Sequence, residues 1–173
     1  MVKRLKIGVS SCLLGEKVRY DGADKRDPDL IDTLGRLFTL VGVCPEVGCG
    51  LPVPREPMRL EGDPSSPRLV AIESRTDLTG QLLNYCAHRV AELEREGICG
   101  FILKKNSPSC GVQMVQLYQG GEPSGHGRGL FAAQLVRRFP LLPIAEEQIL
   151  GDPVLRDNFM SCVLAYSGAK ETR

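Results

Sequence analysis

Apolar residues along this chain fall into short runs that alternate with helical stripes. Lys6-Ile7-Gly8-Val9-Ser10 is a brief apolar run ending in small residues, the pattern of a buried parallel strand meeting its loop. Asp27-Pro28 then supplies a cap and a proline at a first helical position, and Leu30, Ile31, Leu34 and Leu37 recur at helical spacing behind them. Residues 38–43 read as a second strand. Residues 45–67 are rich in Pro and Gly and predict an ordered loop over one end of the sheet. Residues 69–72 predict an edge strand. Leu82, Leu83, Cys86, Val90 and Leu93 share one face and predict a helix over 81–95, closed by Gly97. A third strand follows over 99–103. Phe131, Leu135 and Val136 mark a helix ending near Phe139, residues 141–144 a fourth strand, and residues 154–166 a last helix. Strands alternating with helices predict one α/β domain over 1–173, with a mostly parallel, Rossmann-like sheet covered by helices on both faces.

Length and charge narrow the function classes. A chain of 173 residues suits one domain with a real core. A net charge of +1 supplies no global pull toward nucleic acid or acidic membranes, and nothing resembles a DNA-binding helix. The longest apolar stretches, such as 38–44, are far too short to span a bilayer. The basic start, Met1 to Lys6, is followed by no apolar signal core, so a cytoplasmic protein is expected.

Seven cysteines change the picture. An odd count in a reducing compartment argues against a disulfide framework and leaves buried thiols, reactive thiols or metal ligands. Cys86 and Cys162 sit on apolar helical faces and Cys99 begins a buried strand, so packing is expected for these. Cys12, Cys44 and Cys110 instead follow the first, second and third strands, in loops rich in Gly, Ser and Pro. In a parallel sheet those strand ends share one edge, where open α/β sheets bind ligands. Three converging thiols suit an iron–sulfur cluster with one iron left open, or a zinc ion. Spacing alone does not choose between them, and Cys49 is the candidate for a fourth ligand. The Gly-rich stretch 125–129 does not match a dinucleotide fingerprint.

The motifs that hold these cysteines resemble one known family. Ser11-Cys12-Leu13-Leu14-Gly15 with Val18-Arg19-Tyr20-Asp21-Gly22, Cys44-Pro45-Glu46-Val47 with Gly50-Leu51-Pro52-Val53-Pro54-Arg55, and Leu103-Lys104 with Ser107-Pro108-Ser109-Cys110-Gly111 occur in the order found in the TudS-type thiouracil desulfidases. The resemblance implies a single α/β domain holding a [4Fe-4S] cluster on Cys12, Cys44 and Cys110, with Glu46 as the catalytic glutamate and Ser107 beside the cluster. It implies removal of sulfur from a thiouracil or from 4-thiouridine monophosphate. Longer relatives carry an extra domain and act on tRNA, so a small thiopyrimidine is the expected partner here. Hydrolysis of C=S to C=O needs no net redox change. Ser11, Arg19, Arg55, Lys104 and Lys105 are candidates for holding a phosphate or the pyrimidine oxygens. The alternatives are a cluster- or zinc-binding sensor or structural module without catalysis, and a cluster enzyme acting on another sulfur compound.

Overall fold

The computed structural model describes residues 4–171, so Met1 to Lys3 of the basic start lie outside the described residues. Strands β1 (Lys6–Ser10) and β2 (Thr39–Val43) pair in parallel, joined through helix α1 (Pro28–Leu37). The start of α1 follows from its sequence: the Asp27 carboxylate accepts the Leu30 N–H at 3.1 Å, and Pro28 occupies a position whose N–H has no helical partner. A one-turn helix α2 (Pro45–Gly48) opens directly after β2. Two short strands follow, β3 (Met58–Glu61) and β4 (Arg68–Ala71), then the long helix α3 (Thr79–Glu96), which ends at Gly97. Strand β5 (Ile98–Leu103) is buried throughout. It leads to β6 (Val115–Gln119), β7 (Glu122–Gly127), helix α4 (Leu130–Arg138), β8 (Ile144–Glu146) and helix α5 (Pro153–Glu171).

The first sheet has the order β2-β1-β5-β8 and every pair in it is parallel. Its two faces carry separate cores, as the period of two in a strand requires. Along β5 the alternation slips at a register shift opposite Lys6 and Ile7, so that Cys99 as well as Ile102 turns toward Ile7, Val9, Leu30, Leu34, Phe159 and Val163, the side covered by α1 and α5. Ile98, Phe101 and Leu103 turn the other way, toward Leu82, Leu93, Phe131 and Leu135 of α3 and α4. Helices on both faces are thus as expected.

The second sheet is not what the sequence predicts. β3, β4, β6 and β7 form a mixed sheet of order β4-β3-β6-β7, built from two antiparallel hairpins that meet through the parallel β3–β6 pair. Leu60, Leu69, Val115 and Leu117 join its inner face to the α3 and α4 core. The stretch 45–67 is therefore not a plain loop: it contains α2 and β3. The predicted edge strand over 69–72 exists as β4, at the edge of this second sheet. The fourth strand of the first sheet is displaced to Ile144–Glu146. His126, in the Gly-rich stretch 125–129, lies exposed on β7. Cys162, expected to pack, is exposed on α5, although its neighbours Phe159 and Val163 are buried. No helix among the described residues is long and apolar enough to cross a membrane.

Candidate active site

The ends of β1, β2 and β5 meet at one edge, where the strand order changes direction about β1 and β5. Cys12 lies in a 3-10 turn, Ser11–Leu14, that begins as β1 ends. Cys44 immediately precedes α2. Cys110 lies in the loop after β5. All three line a single cavity of about 420 Å³ together with Ser10, Ser11, Glu46 and Ser107, while Pro57 and Met58 bring the second sheet to its rim.

The Cys110 loop is held from several directions. The Ser107 hydroxyl oxygen accepts the N–H of Cys110 at 3.0 Å and of Ser109 at 3.2 Å. Glu146, ending β8, accepts the Val112 N–H at 2.8 Å, and Glu147 accepts the Lys105 N–H at 2.8 Å. From the other side the first N–H groups of α4 are satisfied by the loop: Leu130 donates to the Pro108 carbonyl at 3.1 Å and Phe131 to the Ser109 carbonyl at 2.9 Å. Gly129 makes this close approach possible. A Cβ there would stand 2.5 Å from the Ser109 carbonyl carbon and 2.8 Å from the Cys110 nitrogen, both backbone atoms that cannot swing aside. A Gly129→Ala variant is expected to lose about 1–3 kcal/mol of stability, as over-packed sites do, and to displace the Cys110 thiol. Urea unfolding and metal content measured on the same preparation check both.

Burial and mutual repulsion keep these thiols protonated. Burial, then the neighbouring Cys44 thiol, raises the Cys12 pKa to about 11. Burial likewise raises Cys44, and lifts Cys110 well above the ordinary thiol range, with the Ser10 hydroxyl pulling it the other way. A cationic centre held by Cys12, Cys44 and Cys110 would stabilise their thiolate forms and displace their protons. No three His, Cys, Asp or Glu side chains among the described residues are grouped so as to hold one metal ion. Three thiols spread around a cavity of this size suit a wider, polynuclear group. Cys49 does not line the cavity; its thiol donates to the Glu46 carbonyl at 3.2 Å and its side chain joins the α3 core. Cys86 and Cys99 are buried in the two cores. His88 is exposed on α3, with its ring against the Asn84 carbonyl.

Glu46 is buried beside Cys44 and forms an ion pair with Arg55, whose Nε donates to Oε2 at 2.9 Å. Ser109 donates its hydroxyl to Oε1 at 2.9 Å. Ser11, Arg19, Arg55, Lys104 and Lys105 all line the cavity, yet their groups differ in availability. Arg55 is engaged by Glu46 and by the carbonyls of Val18 and Pro52. Lys104 pairs with Glu147, and Lys105 donates to Gln148 at 2.8 Å. Arg19 lies 3.7 Å from Asp21 and its buried Nε has no hydrogen-bond partner. Sequence reasoning did not single out Ser10, Ser109, Glu146 or Glu147. Ser109 lies inside the third motif and Ser10 next to the first, but nothing local marks the two glutamates, which act from the end of β8, the neighbour of β5.

The family model for 2-thiouracil desulfurase matches residues 7–147. The chain belongs to the 2-thiouracil desulfurase family. Among solved structures, the [4Fe-4S]-dependent thiouracil desulfidase TudS superposes with a TM-score of 0.72 at 34% identity, covering 91% of this chain and 99% of that one. The uncharacterized protein YbbK of Bacillus subtilis (strain 168) is 29% identical over 151 residues, 82% of this chain and 95% of its own length. The three cysteines, Glu46 and Ser107 all fall inside the segment matched to the 2-thiouracil desulfurase family.

Proposed function

We propose that this protein is a [4Fe-4S]-dependent desulfidase that hydrolyses a small thiolated pyrimidine, a thiouracil or 4-thiouridine monophosphate, to the oxo-pyrimidine and hydrosulfide. The observation that carries the reading is the convergence of Cys12, Cys44 and Cys110 on one cavity that also holds Glu46 and Ser107. The cavity volume of about 420 Å³ is in the range used for small ligands. A cluster on these three cysteines supplies one iron without a cysteine ligand, a soft Lewis acid for a thiocarbonyl sulfur. The place of Cys49 outside the cavity supports that open position. A single zinc ion finds less support, because no three ligands among the described residues are grouped for one.

In this reading the ring carbon exchanges sulfur for the oxygen of one water. The C–S bonds break, C–O bonds form, and hydrosulfide and a proton leave, with no electron gained or lost. Glu46 takes the proton from the attacking water and returns it to the departing side. Ser107 acts as a donor: both lone pairs of its hydroxyl oxygen already accept backbone N–H groups, so only its hydrogen remains to offer. Arg19 holds the substrate's anionic or oxygen-bearing side, with Lys104, Lys105 and Ser11 at the wall. The partner is a small molecule rather than tRNA or DNA, and the enzyme works in the cytoplasm.

Protein purified without oxygen is expected to be brown and to contain about four irons per chain. It is expected to release sulfide from 2-thiouracil or 4-thiouridine monophosphate. A colourless protein that iron and sulfide fail to reconstitute would overturn the reading.

A further inference from the structure

Glu46 is fixed from two sides. Arg55 donates from Nε at 2.9 Å and from Nη2 at 2.5 Å, both to Oε2. Ser109 donates from Oγ to Oε1 at 2.9 Å. A carboxylate oxygen has two lone pairs. Oε2 is therefore saturated, and Oε1 retains one open position. Arg55 is anchored in turn: Nη2 also donates to the Val18 carbonyl at 2.9 Å, Nη1 to the Pro52 carbonyl at 3.2 Å, and its side chain is 6% exposed. Ser109 is fully buried and bonded at every polar atom. Its N–H donates to Ser107 Oγ at 3.2 Å, and its carbonyl accepts from Phe131 at 2.9 Å and Ala132 at 3.2 Å. One residue thus links the hydroxyl of Ser107 to the carboxylate of Glu46.

We infer that Ser109 and Arg55 are positioning residues for Glu46, holding it so that Oε1 alone exchanges a proton with water in the cavity. The inference rests on the desulfidase reading above. A loop carboxylate with neither partner would rotate freely and offer either oxygen. Here the hydroxyl of Ser109 fixes the tilt of the carboxylate plane, and the planar fork of Arg55 fills both lone pairs of Oε2 so that only Oε1 keeps one free, a task a lysine ammonium cannot share. Misplacing a reacting group by about 1 Å costs on the order of 100-fold in rate. The loss belongs in kcat, because neither side chain is available to hold substrate.

The test compares wild type, Ser109→Ala, Ser109→Thr and Arg55→Lys, all purified without oxygen. Iron content, the visible spectrum, and KM and kcat for sulfide release from 2-thiouracil and 4-thiouridine monophosphate are measured for each. Ser109→Ala and Arg55→Lys are expected to keep iron, spectrum and KM while kcat falls by roughly 10- to 100-fold. Ser109→Thr, which retains the hydroxyl, restores most of it. An active wild type whose Ser109→Ala and Arg55→Lys variants keep full kcat overturns the positioning role and leaves the desulfidase reading intact. Loss of iron from Ser109→Ala would make its role structural and overturn that assignment, and Arg55→Lys then decides for Arg55. A wild type that releases sulfide from neither substrate overturns the desulfidase reading and this inference with it.

Discussion

Replacing Cys12, Cys44 or Cys110 by alanine is expected to lower iron from about four per chain to below one, whereas Cys49→Ala, Cys86→Ala and Cys162→Ala keep it. The contrast follows from position. The first three line one cavity and repel one another when ionised. Removing any of them leaves two thiolates for a group that needs three attachment points. Cys49 points into the α3 core, Cys86 is packed there, and Cys162 faces outward. Cys49 discriminates most sharply, because burial raises its thiol as it does the others and it stands close to Cys44 in sequence. Iron and acid-labile sulfide assays, with the visible spectrum, check the set. Loss of the cluster from Cys49→Ala would make it a ligand and close the open iron on which the mechanism depends.

Glu46→Gln is expected to have two separable effects. Loss of the proton carrier lowers kcat by about 10²- to 10⁴-fold with iron retained. The same change leaves the Arg55 guanidinium buried without its counter-charge, and breaking a buried pair in this way costs about 3–5 kcal/mol. Sulfide-release kinetics report the first and urea unfolding the second. A Glu46→Gln, Arg55→Met double variant separates them: it removes the stranded cation and recovers part of the stability, but no turnover. Full activity in Glu46→Gln would refute its role in proton transfer.

The parallel sheet was legible because its two central strands, β1 and β5, are short apolar runs buried on both sides, and because Asp27-Pro28 and Gly97 punctuate the helices. The second sheet was not. Met58-Arg59-Leu60-Glu61 alternates over only four residues inside a Pro- and Gly-rich stretch, and Glu122 to Gly127 carries Pro, Ser and Gly with almost no apolar content. These strands are held by backbone pairing to a neighbour, which composition does not record. One local signal was present: Gly120-Gly121, both with positive φ, makes a two-residue hairpin between β6 and β7. Cys162 was misread because α5 is apolar around much of its circumference. Leu164 is 59% exposed on the same helix as buried Val163, so spacing could not tell which face docks. At the site, the loops bearing the three cysteines were legible from the order of strands. The partners of Arg55 and Lys104 were not, since a charge on a cavity wall reads the same in sequence whether it faces a ligand or a neighbouring carboxylate.

The strand order has a consequence for assembly of the holoprotein. β1 pairs with β5 directly, Val9 opposite Ile102, and the Ser10 hydroxyl accepts the Lys104 N–H across a sequence separation of 94 residues. Cys12 and Cys110 become neighbours only when that long loop closes, a step whose entropy the buried apolar β1 and β5 surfaces help to offset. In a zinc finger, ligands close in sequence let the metal drive the folding of the chain. Here the ligands lie far apart in sequence, and the parallel pairing of β1 with β5 is what brings Cys12 and Cys110 to one edge.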